Sequence, residues 1–296
     1  MSTAILLLAA GQGTRMNSDL PKVLHPLAGA PLIAHALRAG RTLEPAREIV
    51  VLGHGAERVA PVVADLAPEA VCVTQQEQLG TGHAVARCGP ALEGFAGDAV
   101  VLYADTPFIG GETLQRMKAA RAEGADVVVL GFEAEDPTGY GRLIAGPDGL
   151  EAIVEHKDAA VRERAINLCN SGVVMADAAT LMELVAQVGN DNAKGEYYLT
   201  DIVAIARARG LHCTHVTCPE AETLGINSRP ELARAEAIFQ TRARAQALAD
   251  GVTLTAPETV FFALDTVIGR DTTIAPYVTF GPDVTVESGV EIRSFC

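Results

Sequence analysis

An apolar run, Ala4 to Ala10, stops at Gly11-Gln12-Gly13-Thr14-Arg15, and Lys22 follows seven positions after Arg15. Glycines after a strand let backbone N–H groups approach phosphate oxygens closely. Arginine offers a planar fork for a phosphate and lysine a point charge. The spacing excludes two familiar phosphate loops. Met16 occupies the place of the third glycine in G-x-G-x-x-G, and Lys22 lies too far along for G-x-x-x-x-G-K-[ST]. By themselves the two glycines fit a tight turn as well as a phosphate loop. The two cations beside them tip the reading towards an anionic ligand.

Other residues could do chemistry too. Asp105 ends the run "DAVVLYAD", where a carboxylate can hold Mg²⁺ or cap the turn before Thr106-Pro107. Gly80-Thr81-Gly82 reads as a helix start with Thr81 as cap. Glu155 in "VEHKD" reads as a solvated charge, and "GINSR" as a loop with an N-cap. In "HCTHVTC" a strand turns Cys213 and His215 one way and His212 and Cys218 the other, which does not close a zinc tetrahedron. His25, His35, His54, His83 and His156 show no triad or ligand spacing.

The positioning elements follow from periodicity. The β-rich runs "AILLLAA", "EIVVLGH", "AVCVTQ", "DAVVLYAD" and "ADVVVLGFE" alternate with helix-like stretches over the first 130 residues. Continuous apolar runs joined by crossovers predict an α/β fold with an open, mostly parallel sheet and helices on both faces. Ligands in such folds bind outside the carboxyl ends of the strands, a rule that lines up Gly11–Arg15, Gln75–Thr81 and Tyr103–Asp105 along one edge. A hairpin is expected in "GRLIAGPDGLEAIVEHKD", with two helices after it.

From Pro230 to Asp250 the chain reads as one long, exposed, Ala-rich connector helix. Beyond Gly251 it falls into sixes: VIGRDT, TIAPYV, TFGPDV, TVESGV, EIRSFC. Ile268, Ile274, Phe280, Val286 and Ile292 share one position, and Val278, Val284 and Val290 another. Such a repeat predicts a hexapeptide β-helix. A solenoid stopping without a cap would expose its core, so a piece of a longer protein is expected. The expected domains are 1–229, a connector 230–250 and a β-helix start 251–296.

Bulk properties set limits. The 296 residues carry 23 basic and 37 acidic side chains, net −14, which disfavours general binding to nucleic acid or a membrane surface. An anionic ligand would need local positive charge. Six cysteines without framework spacing fit a reducing cytoplasm. No stretch approaches the roughly 20 apolar residues of a membrane span.

"LAAGQGTRM" followed by "PKVL" resembles the signature of the nucleoside-diphosphate-sugar pyrophosphorylases. "EQLGTGHA", "YAD", "DPTGYGR", "IVEHKDA", "NSG", "GEYYLTD" and "GIN" follow in order. Together with the hexads, the whole chain resembles the bifunctional bacterial N-acetylglucosamine-1-phosphate uridylyltransferase/glucosamine-1-phosphate acetyltransferase family. The resemblance implies a Rossmann-like nucleotidyltransferase domain followed by the first coils of a left-handed β-helix. It implies catalytic roles for Arg15 and Lys22, and substrate contacts from Leu8, Ala9, Ala10, Gly11, Lys22, Tyr103 and Ala104. Gln75, Gly80 and Thr81 match the uracil-reading segment, and Gly141, Glu155 and Asn170 the sugar positions. Tyr198 and Thr200 are placed at the sugar phosphate. Asp105 and Asn227 are implied as the protein ligands of Mg²⁺.

The implied reaction joins UTP and N-acetylglucosamine 1-phosphate into UDP-N-acetylglucosamine and pyrophosphate. Glucose 1-phosphate as acceptor, or a catalytically silent nucleotide-sugar regulator, is the alternative. Two residues depart from the family pattern: Ala104 stands where glycine is usual and Ser171 where threonine is common. The family's acetyl transfer uses later coils and neighbouring subunits of a trimer. Acetyl transfer is therefore not expected of this chain, nor more than a monomer or weak oligomer.

Overall fold

The apolar runs of the sequence become the strands of one sheet in the computed structural model, which describes residues 2–296. We number the strands β1 (Thr3–Ala9), β2 (Arg47–Leu52), β3 (Val71–Thr74), β4 (Asp98–Tyr103), β5 (Val127–Glu133), β6 (Arg142–Gly146), β7 (Gly149–Val154), β8 (Leu168–Asp177) and β9 (Cys213–Thr217). The order across the sheet is β9-β5-β8-β4-β1-β2-β3. β1 pairs in parallel with β2 and β4, β2 with β3, and β5 with β9. The expected hairpin is β6–β7, antiparallel, and β6 also meets β8. β8 is antiparallel to both β4 and β5 and carries a register shift between Asn170 and Val174.

Alternate residues of β1 face opposite sides. Ala4, Leu6 and Leu8, with Ala10 just beyond the strand, enter one core cluster, while Ile5 and Leu7 are buried on the other side. A strand covered on both faces needs the unbroken apolar run that the sequence shows. After β1 the chain moves outward to β2 and β3, and then returns to the opposite side as β4. The crevice between β1 and β4 is therefore a topological switch point.

The helices are α1 (Leu32–Arg41), α2 (Ala56–Leu66), α3 (Thr81–Ala86), α4 (Gly111–Ala122), α5 (Val161–Arg164), α6 (Ala178–Val185), α7 (Ile202–Ala208) and α8 (Arg229–Ala249). None is long and apolar enough to cross a membrane among the described residues. The chain divides into two compact units that do not follow chain order. Residues up to Gln12 group with Ala36–Gly225, and Gly13–His35 group with Ile226–Cys296.

In the first unit, Arg121 of α4 pairs with Asp98 at the start of β4, 2.8 Å apart, with both side chains almost inaccessible. Removing one partner leaves a buried charge uncompensated. Arg121→Met is expected to cost about 3–5 kcal/mol, read as a lowered midpoint in urea unfolding.

In the second unit, α8 is more than an exposed connector, which corrects the sequence reading. Ser228 caps it, accepting from the Glu231 N–H. Phe239, Ala243 and Ala247 pack on the apolar interior formed by Val252, Leu254, Val260, Phe262, Ile274, Val278 and Phe280. Buried Gln240 donates to the Phe262 carbonyl and accepts from the Phe262 N–H, both at 2.8 Å. Its amide thus acts as a length of strand backbone, satisfying groups that the end of the solenoid would otherwise leave unpaired.

The hexads form short parallel strands on three faces. Thr253–Leu254, Thr273–Ile274 and Glu291–Ile292 stack on one, Val260–Phe261 and Val278–Thr279 on the second, Val267–Ile268 and Thr285–Val286 on the third. Positive φ recurs at Asp271, Tyr277, Asp283, Gly289 and Phe295, one corner per hexad. The left-handed backbone turns each corner, and the apolar second position of each hexad faces the interior.

Candidate active site

At the carboxyl edge of the sheet, the first unit brings distant segments together. Gln75 follows β3 and is buried. Its Nε2 donates to the Gly80 carbonyl at 3.0 Å and lies 3.1 Å from His83 Nδ1. Gly80 has φ +107°, and an added Cβ would lie 2.6 Å from the Tyr197 carbonyl oxygen, so only glycine fits. Thr81 does not cap α3, which corrects the sequence reading. Gly80 is the N-cap, and the Thr81 hydroxyl accepts from the Leu199 N–H at 3.1 Å.

Leu8 lies near the end of β1 and Ala10 just beyond it, and Gly53 approaches so closely that a Cβ there would strike Ala10. The Leu8 carbonyl accepts from the Ala104 N–H at 3.0 Å. Ala104 is buried, so the methyl that departs from the family pattern is accommodated inside the fold. Ala9, buried within β1, contributes backbone at the same edge, and Gly11 follows with open space where a Cβ would be. Asp105 sits in the turn closed by the Thr106 N–H and hydroxyl, both donating to the Tyr103 carbonyl. Burial and the Asp105 and Glu155 carboxylates push the Tyr103 phenol well up, so it remains a neutral donor.

Tyr103 rests against Gly172, where a Cβ would come within 2.8 Å of the ring. Gly172 belongs to the irregular segment of β8. Ser171 Oγ donates to the Leu130 carbonyl there, and Asn170 Oδ1 accepts from the Gly172 N–H. That leaves the Asn170 NH₂ as the group it can offer a ligand. Gly141 faces both Asn170 and Glu155, each 3.6 Å from where its Cβ would be. Thr200 donates to Glu155 Oε1 at 3.3 Å. Beneath them lies a cavity of about 20 Å³, lined by Tyr103, Ile153, Asn170, Gly172 and Thr200 among others. A wider cavity of about 270 Å³ runs past Glu155, Asp158, Asp191, Asp201 and Tyr198.

Burial raises the Glu155 carboxyl above the ordinary range, and Asp158 and Asp201 add to it against the opposing effects of Thr200 and Lys194. Its contribution to stability is therefore full at low pH and declines as pH rises through the raised value. Ionised, it accepts through both oxygens, and protonation turns one of them into a donor. Acceptance by Glu155 should therefore weaken on the acid side at higher pH than for an ordinary glutamate.

Sequence reading missed Arg142, the largest fully buried side chain. Its guanidinium donates to the Tyr140 and Arg164 carbonyls and lies 3.4 Å from His156 Nδ1. It thereby ties together the segments on which Gly141 and Glu155 sit. An arginine inside a strand gives no sequence signal of this role.

The second unit takes up the glycine loop from Gly13 onward. Gly13 takes φ +65°, and a Cβ there would lie 2.6 Å from Lys22 Cβ. Both conformation and packing demand glycine. A 3₁₀ turn, Thr14–Met16, follows and leaves Arg15 exposed. Lys22 is buried, and its Nζ donates to Asn227 Oδ1 at 3.0 Å. Two positions expected to handle phosphate and metal, 205 residues apart in sequence, thus meet. Glu231 turns back to accept from the Asn227 N–H at 2.6 Å. Arg229, also missed, donates to the Met16 carbonyl and lies 3.3 Å from His25 Nδ1. Burial and then the Arg229 charge lower the His25 pKa, keeping it neutral as the acceptor.

No group of three or more His, Cys, Asp or Glu is placed to hold a metal among the described residues. Mg²⁺ takes oxygen ligands, usually one or two from protein, and completes its shell with water and substrate phosphates. The Asp105 carboxylate and the Asn227 amide, the ligands that the resemblance implies, each offer an oxygen donor of that kind.

Comparison with known proteins narrows the reading. Residues 5–167 match the MobA-like NTP transferase domain. The chain is 67% identical over 270 residues to the bifunctional protein GlmU of Dinoroseobacter shibae, covering 91% of this chain and 60% of that one. It is 64% identical over 293 residues to the bifunctional protein GlmU of Paracoccus denitrificans, covering 99% of this chain and 65% of the relative. The chain thus spans somewhat under two thirds of these relatives. Among solved structures, a putative glucose-1-phosphate thymidylyltransferase from Bacillus anthracis superposes with a TM-score of 0.65 at 20% identity, covering 80% of this chain and 95% of that one. At that identity the likeness speaks for the fold.

Proposed function

The chain belongs to the MobA-like NTP transferase domain family, and from that premise we propose that it transfers UMP from UTP to N-acetylglucosamine 1-phosphate, releasing pyrophosphate. The observation that carries this reading is an unbroken series of contacts inside the first unit. It runs from Gln75 and Gly80 through Thr81, Tyr103, Gly172 and Asn170 to Gly141, Glu155 and Thr200. Base-reading and sugar-reading groups are thereby held in one frame, as joining a nucleotide to a sugar requires. The high identity to bifunctional GlmU proteins supports the same choice of substrates.

The sugar phosphate is largely dianionic at neutral pH, its second pKa being about 6. No general base is needed. A phosphate oxygen attacks the α-phosphorus, the bond to the bridging oxygen breaks, and pyrophosphate leaves with the electron pair. The protein's work is alignment and neutralisation of charge. Lys22 and Arg15 are assigned to the departing phosphates, and the backbone from Leu8 to Gly11 to the nucleotide. Glu155 accepts from sugar hydroxyls and the Asn170 NH₂ donates to the acetamido carbonyl, with Gly141 leaving room between them. Tyr198 and Thr200 are assigned to the sugar phosphate. Asp105 and Asn227 are assigned as ligands of Mg²⁺, which when bound supplies positive charge to the reacting phosphates.

Pyrophosphate release with UTP and Mg²⁺, comparing N-acetylglucosamine 1-phosphate with glucose 1-phosphate, tests the proposal. Fast release with the acetylated sugar is expected. Preference for glucose 1-phosphate would keep the reaction class and change the substrate, and binding without release would point to a regulator. The same assay tests Glu155. The KM for the sugar phosphate should rise as pH falls through the raised Glu155 pKa, and Glu155→Gln should leave only the limb set by the sugar phosphate's own titration at about 6. An unchanged profile would remove the carboxylate from sugar binding.

A further inference from the structure

We infer that His83 is a positioning residue for base selection. It locks the Gln75 amide so that only its carbonyl is offered to the nucleotide, and the site therefore takes uracil and rejects cytosine. The inference rests on the proposed use of a uridine nucleotide and deepens it.

The Gly80 carbonyl can only accept, so the atom of Gln75 facing it at 3.0 Å must be the NH₂ group. A flipped amide would set two acceptors against each other in a buried place. The same nitrogen lies 3.1 Å from His83 Nδ1. An amide nitrogen only donates, so Nδ1 must accept, and the histidine carries its proton on Nε2. Both amide hydrogens are thereby used. The Gln75 Oε1 accepts no hydrogen bond within the described residues, nor does the Gly80 N–H donate one. The protein thus holds a free acceptor and a free donor in one short segment, on a side chain and a backbone joined by their own hydrogen bond.

Uracil presents an N–H beside a carbonyl, which this pair complements. Cytosine presents an acceptor nitrogen beside an amino group, which reverses both. A site built to bond one edge strongly rejects its opposite, because its own polar groups are left unpaired. A glutamine alone would not discriminate, because rotating its amide by half a turn exchanges acceptor for donor. The Gly80 carbonyl resists that rotation, and His83 removes the remaining free N–H. His83 sits on α3 with its ring 6.3 Å from that of Tyr197, a second contact that fixes its orientation.

The test is calorimetric titration of UTP and of CTP against the wild type, His83→Leu and His83→Asn. Leucine keeps apolar bulk against Tyr197 and removes the acceptor. Asparagine places an amide oxygen where Nδ1 stands. The wild type should prefer UTP, His83→Leu should reduce the UTP:CTP affinity ratio about tenfold or more, and His83→Asn should restore most of it. A ratio unchanged in His83→Leu, or no preference in the wild type, would overturn the inference. ¹⁵N chemical shifts of the wild-type histidine give a readout independent of any variant's folding. An unprotonated Nδ1 is expected, and a proton found there would also overturn it. Because binding is measured without the sugar phosphate, failure of the proposed transfer reaction would show in the pyrophosphate assay and leave this ratio readable.

Discussion

Lys22→Met is expected to lower turnover about 10²–10³-fold, the effect of removing one preorganised charge from a developing anion. Methionine retains the stem on which the Gly13 backbone rests, so the glycine loop keeps its support. What disappears is the ammonium held 3.0 Å from Asn227 Oδ1. The lysine is buried without substrate, so in the proposed reaction little reorganisation is needed when charge builds on the leaving pyrophosphate. The loss should therefore fall on kcat more than on the KM for UTP. Steady-state kinetics with both substrates varied would separate the two. A variant with normal kcat and a raised KM would make Lys22 a ground-state binder, and one normal in both would remove it from the site.

Asp105→Asn is expected to cut turnover about 10³-fold at a fixed Mg²⁺ concentration, several kcal/mol of charge stabilisation being at stake. The substitution is nearly isosteric. The Tyr103–Thr106 turn is closed by bonds from the Thr106 N–H and hydroxyl, neither of which involves the Asp105 side chain. The fold should survive while the negative charge is lost. An amide oxygen still coordinates, so activity should return in part as Mg²⁺ is raised, and a Mg²⁺ titration at saturating substrates is the measurement. The Asp105 charge also contributes to keeping the Tyr103 phenol protonated. Unchanged Mg²⁺ dependence would exclude Asp105 as a ligand.

The sequence by itself determined the elements and the chemistry in outline. Unbroken apolar runs such as Ile5–Leu8 have one stable use, a strand covered on both faces, and the six-residue period admits a solenoid and little else. The Gly-x-Gly-x-Arg loop and the later lysine point to an anionic ligand because charge type and backbone freedom are local properties. Tertiary structure decided what depends on partners far along the chain. Nothing local in α8 marks Gln240 as a strand-like cap for Phe262, since its role exists only where the first coil leaves backbone groups unpaired. Nothing in "YGR" shows that Arg142 is buried, because its carbonyl partners come from the tight turn before it and from Arg164. Thr81 reads as a cap by residue type, yet its hydroxyl is claimed by Leu199. His83 reads as one histidine among seven. Its role appears only when the Gly80 carbonyl fixes which end of the Gln75 amide it must meet. Periodicity and charge are written residue by residue, whereas the direction of a hydrogen bond is settled only by the group at its other end.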